Sequence, residues 1–202
     1  MAAVLEQRHD ILEAIYRRRA VRAYTAQTPS EALVRSLLDA AVHAPTAMHT
    51  EPWAFVIVQD KAVLKRVSDR AKVMLLDDVH AGGELADDAT TKGRLLAMLA
   101  DPAFNIFYDA GTLIVICRKR SGPYAEADCW LAAENLMLAA CASKLGTCCI
   151  GFAVSALNVA DVKQELGIPE DVAAVVPIIV GHPRGEVPAV PRKPAQILRW
   201  LK

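Results

Sequence analysis

Two groups of basic residues in this chain could bind a phosphate group. Arg18, Arg19 and Arg22 follow a short predicted helix, and Arg192 and Lys193 are adjacent in a proline-rich tail. Arginine binds phosphate through paired N–H donors, so two basic groups far apart in sequence can converge on one phosphate. A plainer interpretation stays open, in which the arginines complement the dipole at the helix end and the tail pair is solvated.

The sequence lacks the motifs of several common enzyme classes. There is no G-x-G-x-x-G, no G-x-x-x-x-G-K-[ST], no G-x-S-x-G nucleophile elbow and no H-E-x-x-H zinc motif. The histidines are dispersed and form no zinc spacing with the cysteines, so no metal site is predicted. These absences argue against doubly wound dinucleotide binding, P-loop NTPase chemistry and hydrolysis.

The cysteines are odd in number and irregularly spaced, which does not favour a disulfide framework; they are Cys117, Cys129, Cys141, Cys148 and Cys149. We expect them to be small, buried apolar side chains in a reducing compartment. A redox role of the adjacent pair stays open, although neighbouring cysteines join only through a strained ring.

The composition predicts one soluble domain, residues 1–202, with apolar surface to spare. The 202 residues are 53% hydrophobic, with 23 basic and 23 acidic residues, and the mean hydropathy is +0.23. The balanced charge argues against a nucleic-acid partner, and the apolar surplus suggests burial against another subunit. The apolar runs are too short to span a membrane. Residues 1–10 lack the apolar core of a signal peptide, so a cytoplasmic location is expected.

Helices and strands are predicted without strict alternation, which favours an α+β fold with a central, mostly antiparallel sheet flanked by helices. Periodicity and capping residues predict helices at 10–18, 28–43, 60–72, 128–145 and from Ser155 or Asn158 to Leu166, and strands at 53–58, 112–117, 147–152 and 172–180.

Some segments carry more specific predictions. Thr28 is expected as a helix N-cap, with Pro29 in the first helical position. Residues 74–103 show only short periodic pieces, which favours a functional lid or a mobile excursion. The helix at 128–145 is apolar on nearly every side, so it should be buried in the core or an interface. The tail, residues 182–202, contains several prolines and should wrap along a surface or a partner.

Ordered motifs in the sequence resemble those of the nitroreductase family of FMN-dependent oxidoreductases. Residues 18–24 are RRAVRAY, similar to the family's R-R-S-V-R-x-F, and residues 44–53 are APTAMHTEPW, similar to A-P-S-x-x-N-x-Q-P-W. Residues 128–152 contain DCWLAAENLMLAA and LGTCCIGF, similar to A-x-x-N-x-x-L-A-A followed by G-L-G-T-C-W-I-G. The family's G-x-P and P-R-K-P correspond to 181–183 and 191–194.

The resemblance implies a homodimer with two FMN sites at the subunit interface, and it assigns roles by position. The residues at the FMN phosphate would be Arg18 and Arg192, with Arg19, Ala20 and Lys193 close by. The residues around the flavin ring would be Arg22 at the pyrimidine edge, Pro45, Thr46, Ala47 and His49 from the other subunit, and the backbone N–H groups of Ile150 and Gly151 near N5 and O4. The residues of the substrate channel would be Phe104, Phe107 and Tyr108.

The sequence departs from the family pattern at three of these positions. Ala20 replaces the usual serine, and losing a hydrogen bond to a charged group costs roughly 1.5–3 kcal/mol if nothing replaces it. His49 stands where asparagine is usual, and Glu51 where glutamine is usual. A carboxylate near the flavin would disfavour its anionic reduced form, unless Glu51 pairs with an arginine such as Arg22.

The implied chemistry is ping-pong hydride transfer. NADH or NADPH would deliver a hydride to flavin N5, and a nitroaromatic, quinone or related electrophile would then take its place. Arg22 would support the negative charge of the reduced flavin, and no side-chain acid or base is obligatory. Two alternatives stay open: a specialised enzyme on the same scaffold, of dehalogenase or flavin-fragmenting type, and a low-turnover FMN carrier or sensor.

Overall fold

The computed structural model describes residues 11–84, 86–119 and 121–202. The expectation that residues 1–10 hold no signal peptide lies outside the described residues. The helices are α1 (Ile11–Arg17), α2 (Glu31–Val42), α3 (Lys61–His80), α4 (Ala89–Ala100), α5 (Ala125–Ala142), α6 (Val154–Leu157) and α7 (Ala160–Leu166). The strands are β1 (Trp53–Val58), β2 (Thr112–Arg118), β3 (Gly146–Cys149) and β4 (Ala173–Gly181).

The strands form one antiparallel sheet in the order β1-β2-β4-β3, which confirms the predicted α+β architecture. In the central strand β2, Leu113 and Val115 face one side and Ile114 and Ile116 face the other, as the two-residue period of a strand requires. All four side chains are completely buried. Because helices cover both faces, β2 is apolar along its length rather than alternating with polar residues.

The two faces of the sheet have different partners. On one face, α2 and α5 pack together around Leu37, Leu136 and Ile114. On the other face, α3, α6 and α7 supply Val67, Leu157 and other core side chains. The sheet therefore holds the end of α5 and the end of β4 in fixed relative positions.

The start of α2 differs from the prediction. The N-cap is Ser30 and not Thr28: Ser30 has φ −67° and ψ 156°, and its Oγ accepts the Leu33 N–H at 3.3 Å. Thr28 and Pro29 lie before the helix, where the Thr28 backbone packs so closely on Gly111 that a Cβ there would be 2.9 Å away. This long-range packing explains why the local capping pattern pointed two residues too early.

Residues 74–103 are mostly helical, contrary to the irregular excursion expected. The helix α3 continues to His80 and α4 follows after a short turn. The buried Lys72 on α3 donates to the carbonyls of Asp101 and Phe104, at 2.7 and 2.9 Å. Ser68 Oγ, also on α3, accepts the Ile106 N–H at 3.0 Å. These bonds tie the chain after α4 back to α3; whether the segment acts as a lid stays a prediction.

The predicted helix from Ser155 or Asn158 is divided into α6 and α7. Neither residue caps α7, which begins after Val159 without a side-chain cap. The Asn158 side chain instead exchanges two 2.9 Å hydrogen bonds with the backbone of Ala174 at the start of β4. Asn158, which the sequence predicted as a possible helix cap, therefore connects its loop to the sheet.

The tail has no helix or strand after β4, apart from a single bridge between Tyr24 and Pro183. From Arg184 onwards its residues are exposed. Among the helices that the structure describes, none combines enough length and apolar character to cross a lipid bilayer.

Candidate functional site

The segment after α1 crosses the ends of β3 and β4. The Val21 N–H donates to Thr147 O, and the Thr25 N–H donates to His182 O, both at 2.9 Å. Residues 18–25 are thus fixed to the sheet at two points by backbone hydrogen bonds. The basic residues predicted to bind phosphate therefore stand on a defined backbone rather than on a free loop.

Two glycines allow this segment to lie close to the sheet. A Cβ at Gly146 would come within 2.7 Å of the Val21 side chain, and a Cβ at Gly181 would come within 2.7 Å of the Tyr24 ring. Tyr24 is also anchored by its hydroxyl, which donates to Val21 O at 2.7 Å. Side chains at either glycine would push the segment away from the strands.

An open cleft of about 510 Å³ lies beside the first arginines of the segment. Arg18 and Arg19 line it, together with the C-terminal end of α5 and the first part of the tail. Within the described chain, the buried Nε atoms of both arginines have no hydrogen-bond partner. Glu134 Oε1 lies 3.4 Å from Arg18 Nε, close enough for an ion pair but without hydrogen-bond geometry. Arg19 Nη1 donates to the carbonyls of Tyr16 and Arg18, at 2.6 and 2.9 Å. The remaining guanidinium donors beside the cleft are suited to binding an anion.

The other charges on the walls of the cleft nearly balance. Arg17 donates to Glu13 at 2.7 Å, so these two neutralise each other. Lys144 and Glu186 also line the cleft and carry one charge of each sign. The positive character of the cleft therefore comes from Arg18 and Arg19, and Glu134 partly offsets the charge of Arg18.

A smaller cavity of about 190 Å³ lies at the other end of the segment. Arg22 lines it, and the guanidinium carbon is 5.9 Å from the centre of the Tyr108 ring. Phe104 packs edge-on against Tyr108, with ring centroids 5.5 Å apart. Ile150 and Gly151 also line the cavity, and a Cβ at Gly151 would meet no atom within 4 Å. An arginine, an aromatic ring and a glycine backbone without a side chain in the way therefore line the same cavity.

Only one of the two predicted backbone donors is available in this cavity. The Ile150 N–H donates to Pro177 O at 2.9 Å, because Ile150 continues the pairing of β3 with β4. The prediction that Ile150 offers its N–H to a ligand is therefore wrong, and the same role for the Gly151 N–H stays a prediction.

Burial keeps the thiols around this cavity protonated at neutral pH. Desolvation raises the pKa of Cys148, while the nearby Arg22 opposes the rise. Desolvation, with a smaller contribution from Cys148, raises the pKa of Cys149 to about 11. Desolvation also raises the pKa of Tyr108, and the nearby Arg22 opposes this rise. Neutral thiols are poor nucleophiles, so the cavity offers no activated cysteine.

The loop predicted to face a flavin contains one 3₁₀ turn, Ala47–His49, and is attached to α5. The Ala47 N–H donates to both carboxylate oxygens of Asp128, at 3.2 and 3.3 Å. Pro45 and Thr46 lead into the turn. Positive φ angles of 54°, 54° and 41° occur in this loop at Met48, His49 and Glu51. Non-glycine residues in this conformation are uncommon and cluster at functional sites.

The tail cations do not reach the arginine cleft of their own chain. Arg192 and Lys193 are exposed, and neither makes a hydrogen bond or ion pair within the part of the chain that the structure describes. The cleft wall includes the tail only as far as Ala189. Their predicted part in phosphate binding stays a prediction.

Two further expectations change with the structure. Phe107 is completely buried in the core, so the prediction that it lines a substrate channel is wrong. Tyr108 is half-buried and lines the second cavity, and the half-buried Phe104 packs against its ring, so their part in a substrate channel stays a prediction. Glu51 is exposed, and among the described residues it forms no ion pair with Arg22.

Sequence reasoning missed Asp128 and Glu134 as partners of the predicted site residues. Both are carboxylates in a mostly apolar helix, α5, and both lie within a motif of the family resemblance. A charge retained in an apolar helix is the signal that could have found them, because such a charge needs a partner. Their partners, Ala47 and Arg18, are more than eighty residues away in the chain.

Comparisons with known proteins agree on one family. A family model described as "Nitroreductase family" matches residues 15–182. A protein of Archaeoglobus fulgidus with the provisional name NADH dehydrogenase/NAD(P)H nitroreductase is 28% identical over 182 residues, which cover 88% of this chain and 87% of that protein. An iodotyrosine deiodinase of Thermotoga neapolitana is 27% identical over 184 residues, covering 87% and 90%.

The fold has the same relatives. The crystal structure of a nitroreductase from Bacteroides fragilis with bound FMN superimposes with a TM-score of 0.79 at 24% identity, covering 96% of this chain and 100% of that one. This similarity identifies the fold, including the sheet and the flanking helices described above.

Proposed function

Because the chain belongs to the nitroreductase family, we propose that it is an FMN-dependent oxidoreductase. It takes a hydride from NADH or NADPH and passes it through flavin N5 to a nitroaromatic, quinone or related electrophile. The observation that carries this proposal is that one segment, residues 18–22, supplies two arginines whose Nε atoms lack hydrogen-bond partners to a cleft and a further arginine to a second cavity. An elongated ligand with a phosphate at one end matches that arrangement.

The residues of the arginine cleft fit the phosphate end of FMN. The buried Nε atoms of Arg18 and Arg19 lack partners, and an anion in the cleft would supply acceptors for them. Ala20 contributes only backbone, so these arginines carry more of the binding than they would beside a serine. Glu134 lies 3.4 Å from Arg18 Nε, so an anion would have to bind Arg18 beside this carboxylate.

The second cavity fits the ring end. Bound FMN supplies the redox chemistry, since its N5 takes up and releases a hydride. Arg22 would face the edge of the ring where negative charge develops, and a fixed cation there stabilises that charge in a site with little water. Gly151 provides a backbone donor without a side chain in the way. Tyr108 and Phe104 would exclude water from the same space.

A homodimer is part of the proposal. Apolar side chains stay exposed on α1, on α5 and in the tail; they include Ile11, Leu12, Trp130, Leu131, Leu198 and Trp200. Exposed apolar surface of this extent is typical of subunit interfaces. In a dimer, the tail with Arg192 and Lys193 and the 45–49 loop would complete the site of the other subunit.

Reductive dehalogenation is a second candidate function on the same site. It is favoured by the similarity to the Thermotoga neapolitana iodotyrosine deiodinase, which extends over 90% of that protein. The two functions would share the cofactor and differ in the acceptor. A halogenated phenol and a quinone, offered to the reduced protein in parallel, distinguish them.

The test of the proposed function is flavin binding followed by reduction. We expect the purified protein, supplied with FMN, to bind about one FMN per chain and to lose its flavin absorbance when NADH or NADPH is added without oxygen. A quinone should then restore the absorbance. A protein that stays colourless after incubation with FMN contradicts the whole proposal, whereas a protein that binds FMN but is not reduced supports the carrier or sensor.

A further inference from the structure

Asp128 is a buried carboxylate whose partner lies in the 46–51 loop, which the family resemblance predicts to face the flavin of the other subunit. Only 3% of Asp128 is exposed. Its two oxygens share a single donor, the Ala47 N–H, at 3.2 and 3.3 Å. No lysine, arginine or histidine among the described residues forms an ion pair with it. Burying a carboxylate is costly, so a charge kept here needs a compensating role or environment.

Part of the compensation comes from α5 itself. Asp128 lies in the first turn of this helix, where the helix dipole stabilises negative charge. The remaining interaction is the bond to Ala47, which belongs to a different part of the chain. The carboxylate of Asp128 therefore accepts a hydrogen bond from the loop instead of forming an ion pair with a cation.

The loop bound by Asp128 has a backbone conformation with a free-energy cost. Positive φ angles at non-glycine residues cost about 1–3 kcal/mol each, and this loop has them at Met48, His49 and Glu51. Besides the bond to Asp128, Ala47 accepts from the hydroxyl and the N–H of Thr50, at 3.0 and 3.2 Å. Ala47 is thus fixed on both sides, and the residues after it are turned outwards, with Met48 92% exposed.

We infer that Asp128 is a positioning residue for the reaction: it fixes the 46–51 loop through the Ala47 N–H and so sets how Met48 and His49 are presented to the acceptor. The inference rests on the proposed function, since the loop matters for turnover only if it borders the flavin. Asp128 does not touch cofactor or substrate and acts through the loop. Its loss should therefore alter acceptor binding more than flavin binding.

The bond can be removed from either side. Asp128→Ala removes the acceptor of the hydrogen bond, and Ala47→Pro removes its donor. A proline at position 47 is compatible with the preceding residue, because Thr46 has φ −131° and ψ 146°. Asp128→Asn keeps an acceptor oxygen in the same place. Glu126→Ala removes an exposed carboxylate from the same first turn of α5 and serves as the matched control.

We expect Asp128→Ala and Ala47→Pro each to raise the KM for the acceptor by about tenfold, the effect of one lost hydrogen bond to a charged group. The double variant should be no worse than either single one, because both remove the same bond. In Asp128→Ala, which leaves every residue predicted to line the flavin unchanged, FMN affinity should change less than twofold. Asp128→Asn should stay close to the wild type, and Glu126→Ala should be indistinguishable from it.

Hydrogen exchange of the cofactor-free protein gives a readout that does not depend on activity. Amides of the peptide covering residues 46–51 should exchange about tenfold faster in Asp128→Ala than in the wild type or Glu126→Ala. If both Asp128→Ala and Ala47→Pro lower only the melting temperature, with acceptor KM and loop exchange unchanged, Asp128 is structural and the inference is wrong. Strictly additive effects of the two changes would also overturn it.

Should Asp128→Ala fail to fold, Ala47→Pro and Asp128→Asn decide the question. An unchanged acceptor KM in Ala47→Pro overturns the inference, and a tenfold increase in that variant alone, with Asp128→Asn near the wild type, supports it. Failure of the proposed function looks different: the wild type itself would then bind no FMN and would show no NADH or NADPH oxidation.

Discussion

At the residue scale, Arg18 and Arg22 differ in what surrounds each guanidinium group. Arg18 lines an open cleft with its Nε unpaired and Glu134 beside it, whereas Arg22 lies over an aromatic ring in a smaller cavity. The first setting is suited to holding a phosphate, and the second to acting on the charge of a bound ring. Two substitutions separate these roles.

Arg18→Ala should weaken FMN binding about ten- to hundredfold while leaving riboflavin binding nearly unchanged. The substitution removes charge-assisted hydrogen bonds to the phosphate of FMN. Riboflavin has no phosphate group and cannot form these bonds, so its affinity should not depend on them. Fluorescence titration of the cofactor-free protein with both flavins measures the two affinities. Arg35→Ala, which breaks an exposed pair with Glu31, is the control and should change neither affinity. An equal loss for both flavins would move Arg18 away from the phosphate.

Arg22→Ala should lower the reduction potential of the bound flavin by several tens of millivolts and slow its reduction by NADH or NADPH. A fixed cation stabilises the reduced form more than the oxidised one, and about 1.4 kcal/mol corresponds to roughly 30 mV for a two-electron couple. Redox titration of the variant measures the shift. Arg22→Lys keeps the charge and should recover most of the potential. An unchanged potential in Arg22→Ala removes this residue from the mechanism.

Buried cysteines predict a loss of stability at alkaline pH. Burial raises the pKa of Cys117, Cys129 and Cys149 to about 11 in the folded protein, whereas thiols of the unfolded chain ionise near pH ~8.5. Between these values the unfolded state holds fewer protons than the folded state, so the free energy of unfolding falls as pH rises. Denaturant midpoints at pH 7.5, 9 and 10 (chosen to span this window) test the direction, and Cys149→Ala should reduce the slope.

At the element scale, the close packing of the 18–25 segment on β3 and β4 can be tested through its glycines. Gly146→Ala would place a methyl group within 2.7 Å of the Val21 side chain. Overpacking of this kind costs about 1–3 kcal/mol, and it should also displace the neighbouring arginines and weaken FMN binding. Thermal unfolding and FMN titration measure the two effects.

Two matched variants make the glycine test specific. Adding Val21→Gly to Gly146→Ala removes all three Val21 side-chain atoms that would clash with the added group, and it should recover a substantial part of FMN affinity and some of the lost stability. Gly93→Ala, on α4 with no atom within 4 Å of the added group, should stabilise the protein by about 0.5–1 kcal/mol, because the helix interior disfavours glycine. If Gly146→Ala behaves like Gly93→Ala, the segment is not packed as described.

Elements with a strong local signal were predictable, and those determined by distant contacts were not. The strand at Trp53–Val58 and the Asp60 cap of α3 follow from local patterns and are confirmed. The true cap of α2 depends on how Thr28 meets Gly111, which is far away in sequence. Likewise, the carbonyls after α4 are satisfied by Lys72, a residue that a periodicity analysis treats only as polar.

In the candidate site, too, some features were predictable from local motifs and others depend on distant contacts. The family resemblance singled out Arg18, Arg22 and Gly151 as site residues, and in the structure they line two cavities, while their contacts with FMN stay predictions. The pairing of Ile150 with Pro177 and the burial of Phe107 were not, because hydrogen-bond partners and depth depend on the register of β3 with β4 and on packing against the core. Motifs indicate which residues meet, whereas tertiary packing determines which of their atoms remain free.

At the scale of the whole molecule, the tail is the part that a single chain leaves without a partner. Its residues from Arg184 onwards are exposed, and Leu198 and Trp200 are 98% and 72% exposed. Large apolar side chains are rarely left in water in this number, so a partner surface is expected to cover them. The proposed homodimer provides one, and it would bring the tail cations to the second subunit.

Truncation after Val190 should therefore abolish FMN binding and weaken the dimer together. It removes both the cations at 192 and 193 and the apolar end of the tail. The full-length double substitution Arg192→Ala and Lys193→Ala separates the two effects: it keeps the apolar contacts, so the dimer should persist, while FMN is weakened and riboflavin is not. Sedimentation equilibrium and flavin titration measure both properties. A truncated chain that stays dimeric and retains stoichiometric FMN would show that the tail lies elsewhere, because neither the phosphate site nor the interface would then need it.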